Sequence, residues 1–160
     1  MAKESKPKVR PAAKSANTPK PVKSPPPPPD PSSLDYIFVT LQGLLEKHAP
    51  PFKPAIATMD GRRDYHLMVP QTVVIQGSYG NKPTEIAMAS LVLQKDFVGF
   101  YFMPIYLNPE LKKRVPPTLL KLLKGKTCFH VKSIDDQLLI DVQAALDLGR
   151  KSFKDRDWIV

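Results

Sequence analysis

Cys128 and His130 are the pair of side chains in this chain best placed to do chemistry together. They stand two apart in Thr127–Lys132, an alternating stretch that reads as a strand, so a thiol and an imidazole would share one face. Such a pair can hold a metal ion or form a thiol–imidazole couple, but two ligands are too few for a tight site. The simpler reading is a buried cysteine beside a hydrogen-bonded histidine. Asp135, Asp136 and Asp141 form a second group on the last helical stretch. Carboxylates there could offer a metal surface. Asp135 and Asp136 are also explained by the positive end of a helix, and Asp141 and Asp147 fall off its apolar stripe, toward water.

Other sequences of this kind fall away on inspection. Gly125-Lys126-Thr127 imitates the end of a phosphate-binding loop, yet that motif needs a glycine five positions before Gly125, where Leu120 stands. Gly125 instead fits a left-handed helix stop. No serine occupies a Gly-x-Ser-x-Gly turn, and no His-Glu-x-x-His segment exists. No nucleophile–base pair or complete metal set is legible, which argues against an enzyme and implies no cofactor. His48, at the end of a helix, suits a cation near the negative pole or a solvated residue.

These side chains must be held by elements, and the clearest element is a β-hairpin. With Lys95 and Asp96 in a two-residue turn, Leu93–Val98, Leu91–Phe100 and Ala89–Phe102 pair on one wholly apolar face. The opposite face pairs Gln94–Phe97, Val92–Gly99, Ser90–Tyr101 and Met88–Met103. This mixed face, with His66, offers hydroxyl and thioether groups as a shallow patch. Covered by helices, which is the commoner arrangement, its members are core residues with satisfied polar ends. Left bare, Ser90, Tyr101, Met88, Met103 and His66 make a ligand or partner surface. Lys95 beside Phe97 and Tyr101 suggests a single-strand nucleic-acid platform, but one lysine is too little for a charged groove.

Before the hairpin, Ser32 and Ser33 start a helix with Asp35 in its first turn. Leu34, Ile37, Phe38, Leu41, Leu44 and Leu45 form its apolar stripe, and Pro50-Pro51 ends it. Residues 52–63 read as a connection. Tyr65–Val69 and Thr72–Gln76 are β-rich pieces broken by Pro70, as at an edge or a bulge. After the hairpin, Asn108-Pro109-Glu110 opens a short turn. Thr118–Lys124 reads as helical, and Ser133 with Asp136 resembles a capping box before the last helix. The predicted fold is α+β, an antiparallel three- to four-stranded sheet with N-terminal and C-terminal helices packed on one face.

The chain of 160 residues divides into 1–31 and a single domain, 32–160. The first part carries Lys3, Lys6, Lys8, Arg10, Lys14, Lys20 and Lys23 against Glu4 and Asp30, with ten of the 19 prolines and no aromatic residue. It cannot bury enough apolar surface to offset the entropy of ordering, so it is predicted to be disordered. Much of the net charge of +9 sits there, since residues 32–160 hold 17 basic against 13 acidic side chains. The arm therefore suits a polyanion such as nucleic acid, or an acidic protein. A solubilising tail without fixed partner is the blander alternative. One cysteine excludes an internal disulfide. No apolar run approaches the ~20 residues of a membrane span, and no secretory segment opens the chain, so the expected location is cytoplasmic.

The block Val98-Gly-Phe-Tyr-Phe-Met-Pro-Ile-Tyr106, then Asn108-Pro-Glu-Leu111, then Leu123-Lys-Gly-Lys-Thr-Cys-Phe-His130 with its closing helix, resembles the YdhG-like family. This is a group of small bacterial domains of unknown function, and the resemblance spans roughly Ser33 to Trp158. It implies a compact α+β domain and supplies no catalytic residue. Some relatives are described as frataxin-like iron chaperones that bind iron on acidic surfaces. Here the folded part is net basic and its acids are scattered. The expected function is thus a non-enzymatic binding or accessory domain with a flexible basic arm. Iron handling of the frataxin-like type, and nucleic-acid association through the tail, are the alternatives.

Overall fold

The computed structural model describes residues 30, 32–59 and 62–160. The predicted arm, apart from Asp30, lies outside them. Six antiparallel strands form one sheet: β1 (Lys53–Met59), β2 (Arg62–Met68), β3 (Ala87–Leu93), β4 (Val98–Phe102), β5 (Leu123–Lys124) and β6 (Cys128–Val131). Their spatial order is β1-β2-β3-β4-β6-β5. The chain is thus α+β with an antiparallel sheet, but wider than the three to four strands expected. Among the described residues no helix is long and apolar enough to cross a membrane.

The hairpin lies at the centre, in the expected register. Leu93 faces Val98, Leu91 faces Phe100 and Ala89 faces Phe102, and Gln94 donates its N–H to the Phe97 carbonyl at the turn. Two strands escaped the sequence reading. Residues 52–63 are largely β1 and the start of β2, paired from Lys53–Met68 to Met59–Arg62. Pro54 is tolerated because β1 is an edge strand. β2 is interior, so of the edge or bulge suggested by Pro70 it is the bulge that occurs, where the β2–β3 register shifts between Leu67 and Met68. The piece 72–76 makes only the isolated bridge Val73–Thr84. The expected helix over 118–124 breaks at Leu120 and its end becomes β5; Gly125, at φ +77°, turns β5 into β6 instead of stopping a helix.

Helix α1 (Leu34–Glu46) begins where Ser33 Oγ accepts from the Tyr36 amide at 3.2 Å. Helix α4 (Asp136–Asp155) is capped by Asp135, whose carboxylate accepts from the Leu138 amide at 2.7 Å; Ser133 takes no part in that cap. The short helices α2 (Pro104–Leu107) and α3 (Pro117–Leu120) pack on α4. A 3₁₀ turn over Pro109–Arg114 follows Asn108, whose side chain accepts from the Glu110 amide at 3.2 Å. Helices α1 and α4 touch each other and both contact β3, so they cover one sheet face. Beneath them lie Tyr65, Leu67, Leu91, Phe100, Phe102 and Phe129, all essentially inaccessible to water.

Two sequence expectations about polar residues are corrected by this packing. His48 is neither solvated nor a free cation: it is 3% exposed, wedged between α1 and α4. Its Nε2 lies 3.3 Å from Gln143 Nε2 and 3.7 Å from Asp147 Oδ1. Burial lowers its pKa, with Asp147 pulling upward and Arg150 and Lys47 pushing down. Asp141, expected in water, is 4% exposed. Thr118 and Gln137 donate to its two carboxylate oxygens and tie α3 to α4.

Candidate functional site

Among the described residues no helix lies across the second sheet face, contrary to the covered arrangement that the sequence favoured. Register sets a polar line across it. His66 on β2 stands opposite Ser90 on β3, Ser90 opposite Tyr101 on β4, Tyr101 opposite Cys128 on β6, and Cys128 opposite Lys124 on β5. Because alternate residues share a face, five strands each contribute one functional side chain to this line. Around its middle lies a concavity of ≈ 310 Å³ lined by His66, Ala87, Ser90, Val92, Tyr101, Met103 and Thr127. Its walls are mainly methyl, thioether and ring carbons, and its polar groups are few and fixed in place.

The best-defined polar contact is His66 Nδ1 to Ser90 Oγ, at 2.8 Å. The pair has the composition of a nucleophile and its base, which the sequence alone did not reveal because 24 positions separate them. The surroundings favour holding over attack. β3 is paired on both edges, so amides near Ser90 are spent in the ladder and cannot receive an oxyanion. Asp64 precedes His66 by two residues and so shares its face. It is 9% exposed, and its Oδ1 has no hydrogen-bond partner among the described residues.

Tyr101 is shaped by a glycine that the sequence reading passed over. A Cβ on Gly99 would lie 3.1 Å from Tyr101 Cε2 and 3.5 Å from Cys128 Sγ. The ring therefore occupies the space that a side chain at 99 would fill. A glycine inside an otherwise aromatic strand was the available signal. Burial, then the neighbouring Cys128 thiol, holds the Tyr101 phenol above its ordinary pKa, with Gln94 acting in the opposite sense. Burial likewise pushes the Cys128 thiol up, while its contact with Tyr101 pulls it back. A protonated thiol is a weak donor and a poor metal ligand.

Met88 departs from the patch. Strand register shifts between Leu67 and Met68, where Leu67 faces Ala89 but Met68 faces Ala87. Met88 is the extra residue of that β-bulge and turns inward. It is 0% exposed, and its Sδ would lie 2.9 Å from a Cβ placed on Gly149 of α4. Ala87 takes the place on the open face that alternation gave to Met88. Thr127 joins the site unpredicted; its carbonyl also accepts from the Phe102 amide at 2.9 Å, which fixes it beside the end of β4.

The candidate metal ligands stay apart. Cys128 and His130 share a face as expected, but His130 stacks on Phe97, with ring centres 3.8 Å apart and planes 12° from parallel. Asp135 is the cap of α4 and Asp141 is engaged by Thr118 and Gln137. Asp136 is exposed in the first turn of α4. Among the described residues no three His, Cys, Asp or Glu side chains converge. The basic arm residues, Lys3 to Lys23, lie outside the described residues. No protein-family model matches the chain, and neither the curated proteins nor the solved structures yield a match. The likeness to YdhG-like domains rests on the quoted residues alone.

Proposed function

We propose that the protein is a binding domain that holds a small, largely apolar organic ligand on the open face of its sheet. One observation carries the reading: among the described residues no helix lies across the concavity over β2–β4, and His66 and Ser90 are locked together in it at 2.8 Å. Ala87, Val92 and Met103 would take up the ligand's apolar body. Ser90, Thr127 and the free ring nitrogen of His66 would read its polar groups. A flat fragment fits such a floor, since Tyr101 presents part of its ring.

The test is a panel of aromatic and heteroaromatic fragments followed by amide chemical shifts. Shifts should cluster on Ala87, Ser90, Val92 and Tyr101, and should vanish in Val92→Arg, whose long side chain fills the concavity. Fragments that leave these amides still, or shifts indifferent to Val92→Arg, would refute the reading. Turnover of an activated ester that is lost in Ser90→Ala would replace binding with hydrolysis.

A further inference from the structure

The positive charge of the folded domain is not spread over it. Between Asn108 and Lys132 there are seven lysines and arginines against one acid, Glu110, whereas the rest of residues 32–160 holds ten against twelve. The entire excess therefore belongs to the segment that links β4 to α4. Of its seven cations, only Lys112 is partly covered; the others are exposed. Glu110 is already paired with Lys113 at 2.6 Å.

Packing gives this charge a shape. A cleft of ≈ 310 Å³ runs between the Pro109–Arg114 turn and the last turns of α4, with Arg114, Lys151, Ser152, Asp155 and Arg156 on its walls. Asp155 is held by Lys151 at 2.8 Å, which leaves two guanidinium groups to set its sign. Arg114 has no carboxylate partner among the described residues. Arg156 lies over the Trp158 ring at 5.1 Å and donates to the Leu107 carbonyl at 3.5 Å, and among the described residues its remaining N–H groups have no partner. The residue before Leu107 is Tyr106, 40% exposed, with the Lys126 ammonium 5.9 Å from its ring centre. Helix α2 thus places an exposed aromatic ring beside the cleft, with Lys126 of the β5–β6 turn next to it.

We propose that this shelf binds single-stranded nucleic acid through its phosphates, independently of the N-terminal arm and of the open sheet face. Guanidinium forks in a cleft suit phosphate oxygens. An exposed tyrosine with a lysine ammonium beside it suits a stacked base. A lipid surface would call for several apolar side chains among the cations, whereas among the described residues between β4 and α4 Tyr106 is the only large apolar side chain exposed.

The experiment measures binding of a labelled oligothymidylate to the full chain by fluorescence anisotropy over a range of salt. Arg114→Gln/Arg156→Gln should weaken binding about tenfold at low salt. Loss of two phosphate contacts should also flatten the log–log salt slope by about 1.4, at roughly 0.7 per contact on a single strand. Lys126→Gln should weaken binding less and in the same direction, and serves should the double variant melt early. Changing the seven arm cations to Gln should leave residual binding that still depends on Arg114 and Arg156. Wild-type affinity in the double variant, or complete loss in the arm variant, would overturn the proposal. So would anionic vesicles that bind through Arg114 and Arg156 while the oligonucleotide does not.

Discussion

The two faces of the sheet are built from the same strands by the same alternation, yet they have opposite fates. On one, Phe100 stacks on Phe102 with centres 5.9 Å apart and meets Phe129 at a tilt at 5.7 Å, under α1 and α4. On the other, Ser90, Tyr101 and Cys128 lie in register, and among the described residues no helix lies across them. The difference teaches that alternation sorts side chains into two sets, but the helices decide which set is interior. Hydrophobic strength is not the sole criterion: Val92 and Met103 remain on the open side.

The sharpest way to break this contrast uses neighbours in sequence. Phe100→Ala should cost about 3–5 kcal/mol, the usual range for emptying a packed aromatic site. Tyr101→Ala, one residue on and facing the other way, should cost about 1 kcal/mol. Denaturant unfolding measures both, and equal costs would mean that the open face is covered. Gly149→Ala probes the seal itself. A Cβ there would lie 2.7 Å from Phe102 Cε2 and 2.9 Å from Met88 Sδ. Overpacking should cost about 1–3 kcal/mol, offset by up to about 1 kcal/mol of helix propensity. A stabilised variant in thermal melting would show that α4 does not press on the bulge.

A smaller effect reports on the helix side alone. Burial lowers the pKa of His48 in the folded state, against the pull of Asp147. The unfolded chain then binds the proton more readily, so stability is full above the ordinary imidazole value of about 6.5. It should fall as acid is added through that value toward the lowered one. His48→Gln should flatten this dependence in melts taken at successive pH values, and an unchanged slope would assign it elsewhere. Smallest of all is Tyr65→Phe. The Tyr65 hydroxyl is buried without a partner among the described residues. Removing it should leave stability unchanged or raise it by up to about 1 kcal/mol; a marked loss would reveal a partner for that oxygen.

Legibility followed the range of the interactions. The central hairpin was readable because its register is local: a two-residue turn and period-two alternation fix every pair from Leu93–Val98 outward. The caps at Ser33 and Asn108 were readable for the same reason. β1 was missed because Pro54 masks a strand whose edge position tolerates it, although Asp60-Gly61 was a hairpin cue. The Ser90–Tyr101 half of the site was legible from pairing, and His66 from alternation. Met88 misled because a single bulge reverses the parity of everything beyond it. Gly99 and Thr127 matter through who touches them, which composition does not record.

Sequence by itself determined the α+β character, the order of side chains along each strand, the central register and the uneven placement of charge. These follow from torsional preference, alternation and counting, all of which act between neighbours. Long-range packing settles the rest: among the described residues no helix crosses the mixed face, His48 and Asp141 are buried, and Arg114 meets Arg156 across a cleft. Such outcomes depend on which helix lies over which strand, a sum of many weak contacts between residues far apart in the chain.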